Sequence, residues 1–131
     1  MEKLCEGLTV LDLTQGMTGG LVTMVLADAG AEVLKIEPPS GDRSRYHPAF
    51  IMWNRGKKSV VLDLKSPQGK DHLSSLAQTA DVMITASTDA AAARLGLQYR
   101  PLAERNPGLV FCNITGFGPL SPFSHLKAND A

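Results

Sequence analysis

The run Thr9-Val10-Leu11-Asp12-Leu13, the loop Thr14-Gln15-Gly16-Met17-Thr18-Gly19-Gly20, and the run Ala31-Glu32-Val33-Leu34-Lys35-Ile36-Glu37, halted by Pro38-Pro39, decide the fold. The first run is short and almost wholly apolar, as a strand buried on both faces requires. After the loop, Leu21, Val22, Val25, Leu26 and Ala29 recur at helical spacing, and Gly30 stands where a helix C-cap glycine belongs. The second apolar run stops at two prolines, which cannot donate to a sheet ladder. Two strands joined by a helix within about 30 residues form a βαβ unit, which is right-handed and demands a parallel sheet covered by helices.

Outward from that unit the alternation continues. Ser59–Leu64 reads as a strand, and Ser66-Pro67-Gln68-Gly69 opens a helix with serine at the N-cap and proline at its first position. That helix carries Leu73, Leu76 and Ala77 inward as far as Thr79. Val82–Thr85 is a strand, Ala90–Leu95 a short helix closed by Gly96, and Tyr99–Arg105 a further turn or two stopped by Asn106-Pro107. Leu109–Ile114 is the last strand, and the tail from Pro119 to Ala131 has no element of its own. The expected fold is α/β, a Rossmann-like, open, mostly parallel sheet with helices on both faces, as a single domain over residues 1–131. The segment Ser40–Lys58 is left irregular, and irregular stretches of that length usually serve a function.

Composition narrows the function classes. At 131 residues the chain has room for one core, and its 44% hydrophobic and 20% charged content is ordinary for a globular domain. Thirteen basic residues balance thirteen acidic ones, which argues against a general nucleic-acid or membrane-surface binder; an anion site must be local. No apolar run approaches the ~20 residues of a spanning helix, and the N-terminus lacks a signal-peptide core, so a cytoplasmic location is expected. Cys5 and Cys112 lack metal-ligand spacing and read as buried, reduced thiols. His47, His72 and His125 likewise have no companions at metal spacing, so no metal is expected.

Three features carry possible chemistry. Gly16-x-x-Gly19-Gly20 is either a tight turn with close helix packing or a helix N-terminus that receives a ligand; as a dinucleotide fingerprint it fails at the second glycine. Arg43, Arg45, Arg55, Lys57 and Lys58, with Lys65 one strand on, are either a phosphate grip or a solvated turn, with Trp53 nearby as a base-stacking or a core residue. Asp12, a carboxylate inside a strand, either caps neighbouring loop amides or faces a pocket, and capping is favoured.

Assembled in order, these segments resemble the N-terminal part of the family III CoA-transferases, the group of formyl-CoA transferase, carnitine CoA-transferase and α-methylacyl-CoA racemase. The resemblance is carried by Leu8–Thr14, Leu26–Pro39, Gly41-Asp42-x-x-Arg45, Asn54–Lys65 followed by x-Pro67-x-Gly69, Ala80–Val82, Arg94–Leu97, Asn106-Pro107-x-Leu109-Val110 and Ile114–Gly118. Each piece is weak alone, and the ordered set is specific.

The resemblance implies transfer of coenzyme A between carboxylic acids through an aspartyl-CoA thioester, with a CoA thioester and a carboxylic acid as small-molecule partners. It implies CoA contacts at Met17, Thr18, Pro38, Leu62, Asp63, Leu64, Lys65, Ala86, Ser87, Thr88, Arg94 and Lys127, with Arg94 and Lys127 on the phosphates. Asp130 matches a pocket-lining acid, and the family's nucleophilic aspartate lies beyond it, so no catalytic residue is expected among these 131 and the chain alone is expected to be inactive. Full-length members form interlocked homodimers, and a fragment is expected to expose apolar surface and self-associate. The family's small-Gly-Pro entry to the first helix is Thr18-Gly19-Gly20 here, and its Glu-Asn-Phe after the fourth strand is Thr85-Ala86-Ser87. Met17 replaces a residue that is polar in formyl-CoA transferase, which disfavours oxalate-like acids, and Asn129 replaces the racemases' histidine. The alternatives are a non-catalytic CoA-binding or interaction module and a nucleotide-binding oxidoreductase domain.

Overall fold

The computed structural model describes residues 3–126. Five parallel strands, β1 (Thr9–Asp12), β2 (Glu32–Glu37), β3 (Lys58–Val61), β4 (Val82–Thr85) and β5 (Val110–Asn113), form one sheet in the order β3-β2-β1-β4-β5. The helices are α1 (Met17–Asp28), α2 (Phe50–Trp53), α3 (Pro67–Thr79), α4 (Asp89–Leu95) and α5 (Tyr99–Arg105). The order runs outward from β1 in both directions, so the topological switch point lies between β1 and β4.

Strand alternation sends neighbouring residues to opposite faces. Leu11, Ile36 and Met83 pack with Leu73 and Ala77 of α3 and Leu102 of α5, while Val10, Val33 and Ile84 pack on the other face with Leu26 and Ala27 of α1. Both faces are therefore covered, and the sheet is wholly parallel. Coverage is uneven. α1 lies against β1, β2 and β4, leaving β5 bare on that side, with Val110 60% exposed. Cys112 sits on the same face and is exposed, contrary to the expected burial; Cys5 is partly buried, and both are free thiols. α1 is apolar nearly all round, and its Val22 and Val25 stay exposed, as do Ile51 and Met52 of α2, the helix that packs on α1.

The segment Ser40–Lys58 is more ordered than its sequence suggests. Asp42 accepts a hydrogen bond from Ser44 N and starts a 3-10 turn over Arg43–Tyr46. α2 follows, anchored by Trp53, which is buried against Gly20 of α1. Trp53 is thus a core residue. Among the described residues, no helix is long and apolar enough to cross a membrane.

Candidate functional site

In a parallel sheet the loops after the carboxyl ends of the strands gather along one edge. Met17 and Thr18 open α1 after β1, Pro38 follows β2, Leu62–Lys65 join β3 to α3, and Ala86–Thr88 join β4 to α4. All share that edge. The β1 and β4 loops flank the switch point, the usual crevice for a ligand. Lys127 and Asp130 lie outside the described residues, as does Asn129.

Local chemistry holds these loops still. Gly16 takes φ 87° at the N-cap of α1, and no side chain caps that end. Gly19 and Gly20 are there for close packing: a Cβ would fall 2.2 Å from the Thr14 side chain and 2.5 Å from Trp53 Cδ1, respectively. Between β3 and α3, the Asp63 carbonyl accepts Ser66 N at 3.0 Å and Ser66 Oγ at 2.8 Å, and Asp63 Oδ1 accepts Lys65 N at 3.0 Å. The Leu62 side chain enters the core, so only its backbone faces the edge. After β4, Asn113 of β5 grips Ser87 on both sides, accepting from its N–H at 3.1 Å and donating to its carbonyl at 3.0 Å. It also accepts from Thr85 Oγ1 at 2.9 Å. Thr88 then caps α4 through Ala91 N. A cleft of about 410 Å³ opens beside this loop, between Asp89 and Ala92 of α4, Tyr99 of α5, and Phe111 and Asn113 of β5.

Arg94 is exposed in the last turn of α4. Gly96, in the left-handed conformation, lies against the Lys70 side chain. The end of α4 thereby meets the first turn of α3, the turn that follows Lys65. Lys65, Lys70 and Arg94 have no carboxylate within ion-pair distance among the described residues. Cations without a partner at a loop-lined edge suit an anionic ligand.

Most cations of the basic loop are paired with carboxylates, one in a buried pair and the rest at the surface. Lys57 is buried and its Nζ reaches Asp12 Oδ2 at 3.1 Å, Gly20 O at 3.0 Å and Asn54 Oδ1 at 2.9 Å. Arg45 forms a fork on Glu37, at 2.7 and 2.6 Å, while Arg55 pairs with Asp28 and Lys58 with Glu32. Four of the five cations thus have a carboxylate partner, Lys57 in a buried pair, Arg45 on buried Glu37, and Arg55 and Lys58 in exposed pairs.

That network replaces apolar packing on the α1 face as the strands near their carboxyl ends: Val10 gives way to Asp12, and Val33 to Lys35 and Glu37. Asp12 caps the loop, as its position in the sequence suggested. Its Oδ1 accepts Thr14 N at 2.9 Å and Thr14 Oγ1 at 2.6 Å, and its Oδ2 accepts Thr23 Oγ1 at 2.6 Å. Lys35 donates to Thr14 O at 2.9 Å and pairs with Asp42 Oδ2 at 2.9 Å, off the line of a full hydrogen bond. Burial pushes the Glu37 carboxyl up, but hydrogen bonds from Arg45, Ser59 and Asp42 N, with the Arg45 charge, more than offset it and hold the pKa below the usual 4.5. Asp42 is likewise held below 3.8, burial being outweighed by Ser44 and Lys35. Burial pulls the Lys57 ammonium down, with Asp12 opposing.

Sequence reading missed Lys35, Asp42, Asn113 and Lys70. Lys35 and Asp42 stood in plain view in Leu34-Lys35-Ile36 and Gly41-Asp42, and a lysine within an apolar strand was the available signal. Nothing local marked Asn113.

The family model for CoA-transferase family III matches residues 5–131. A probable fatty acyl-CoA transferase of Mycobacterium tuberculosis is 39% identical over 92% of this chain and 33% of its own length. The human succinyl-CoA:glutarate CoA-transferase is 36% identical over 98% of this chain and 32% of its own length. A crystal structure of a CAIB/BAIF family protein from Brucella suis superposes with TM-score 0.89 at 33% identity, covering 95% of this chain and 36% of that one. The chain thus spans about a third of the length of the relatives it matches. With a family match over nearly every residue and a shared fold, the chain belongs to CoA-transferase family III.

Proposed function

We propose that these 131 residues form the coenzyme A-binding domain of a CoA-transferase, the N-terminal portion of a longer enzyme that moves CoA between carboxylic acids. The observation that carries this reading is the convergence, on one sheet edge, of the loops at Met17-Thr18, Pro38, Leu62–Lys65 and Ala86–Thr88 with the unpaired cations Lys65 and Arg94. Loop amides and the uncapped start of α1 suit the polar groups of the thioester arm, and the cations suit its phosphates. Family resemblance adds Lys127 as a further phosphate partner and Asp130 as a pocket acid, both outside the described residues. The chemistry passes through an aspartyl-CoA thioester whose aspartate lies outside these residues, so this chain binds and positions CoA without turning over. Full-length subunits form interlocked homodimers, and the enzyme works in the cytoplasm without a metal. The glycine loop departs from the dinucleotide fingerprint at its second glycine, which supports CoA over a dinucleotide.

Calorimetric titration of the chain with CoA and, separately, with NAD tests the proposal. CoA should bind and NAD should not. Arg94→Ala should cost about 1.5–3 kcal/mol, the value of a charge-assisted hydrogen bond, and so weaken CoA roughly 10- to 100-fold. Preferential binding of NAD would sink the reading.

A further inference from the structure

Thr14 is gripped three ways by charged groups from two neighbouring strands. Asp12 of β1 takes its amide and hydroxyl, and Lys35 of β2 takes its carbonyl. Asp12 and Lys35 are register partners in the sheet, 0% and 2% exposed. Thr14 in turn sets α1, because its side chain fills the space beside Gly19 in the first turn. The Lys35 charge is balanced by Asp42, which also holds the chain leaving β2 through Ser44 N. A buried ion pair adds little net stability over apolar residues of the same volume, so stability alone does not explain a lysine in the middle of a parallel sheet. What it supplies is direction: one ammonium fixes a carbonyl three residues before Met17 and ties the β1 and β2 loops together.

We propose that Lys35 is a positioning residue for the ligand site, its buried ammonium holding the Thr14 carbonyl so that the first turn of α1 presents Met17 and Thr18 at a fixed place on the sheet edge. The proposal rests on the reading of that turn as part of the CoA site. Lys35 does not touch the ligand. It acts through Thr14, and Asp42 keeps its charge in place.

The test is a variant that removes the tether without stranding a charge. Lys35→Met/Asp42→Asn keeps volume and leaves an acceptor for Ser44 N; Arg55→Met, at the exposed Asp28 pair, removes a charge without touching the tether and serves as the control. Amide hydrogen exchange of the ligand-free chain is read at Thr14 and Gly20, which bond Asp12 Oδ1 and Gly16 O, and at Met83 and Ile84 in β4. In the double variant Thr14 and Gly20 should exchange at least ~10-fold faster while β4 is unchanged, and CoA should bind at least ~10-fold more weakly. A purely structural role would instead speed exchange across the whole sheet. Unchanged exchange at Thr14, uniform acceleration, acceleration in the control equal to that in the double variant, or unchanged CoA affinity overturns the proposal. If the unaltered chain does not bind CoA, the functional reading fails on its own, and the exchange comparison alone decides whether Lys35 positions the loop.

Discussion

Replacing Gly69 with alanine should destabilise the protein, although alanine is the better helix former. Its Cβ would fall 2.0 Å from the Asp63 carbonyl oxygen and 2.5 Å from the carbonyl carbon, where real Cβ atoms stay beyond 3.0 Å. The obstacle is backbone, and it is pinned: the Asp63 carbonyl accepts from Ser66 N and Ser66 Oγ, while Gly69 N itself donates to Ser66 Oγ at 3.0 Å. Relief requires about 1 Å of movement in the Asp63–Ser66 turn or the first turn of α3. Overpacking of this kind costs about 1–3 kcal/mol, and a lost serine cap about 1 more. Against that stands a gain of at most ~1 kcal/mol in helix propensity. The clash wins, leaving a net loss of about 1–3 kcal/mol. Urea unfolding followed by circular dichroism should show the midpoint falling by roughly 1 M, given an m-value of about 1–3 kcal/mol/M. Gly108→Ala is the control, since its Cβ meets only Asn106 Oδ1 at 3.6 Å. A Gly69→Ala protein as stable as the parent would refute the account of why this turn is rigid.

Three further outcomes are expected. Lys57→Met leaves the Asp12 carboxylate buried without its cation and should cost about 3–5 kcal/mol in denaturant unfolding, far more than Arg55→Met at the exposed Asp28 pair. Glu37 and Asp42 have depressed folded-state pKa values, so the stability they contribute is present above the unfolded values of 4.5 and 3.8 and is lost as pH falls through the folded ones. A thermal-melt series should therefore fall off below about pH 4.5, and Glu37→Gln should flatten that slope. Asn113→Ala removes the grip on Ser87 and should cost about 1–3 kcal/mol, with faster exchange of the Ser87 amide than of the α3 amides.

Much of the fold was legible because its signals are local. A strand that ends at Pro38-Pro39, a serine–proline helix start at Ser66-Pro67 and a glycine stop at Gly96 each act within a few residues. The loops named from family resemblance fell on one sheet edge, as parallel topology requires. The basic loop was illegible for the opposite reason. Lys57 meets Asp12 across 45 positions of sequence and Arg55 meets Asp28 across 27, so whether a cation is free or spent depends on partners that no local pattern contains.

By itself, then, the sequence determined the order of strands and helices, the parallel sheet and the family, because apolar periodicity and turn residues encode short-range backbone choices. Only the tertiary structure decided which charges remain for a ligand. Folding buries Asp12, Lys35, Glu37, Asp42 and Lys57 in one low-dielectric network, and desolvation there forces every charge to find a partner. Among the described residues, Arg43, Lys65, Lys70 and Arg94 are left near the loop-lined sheet edge without a carboxylate partner.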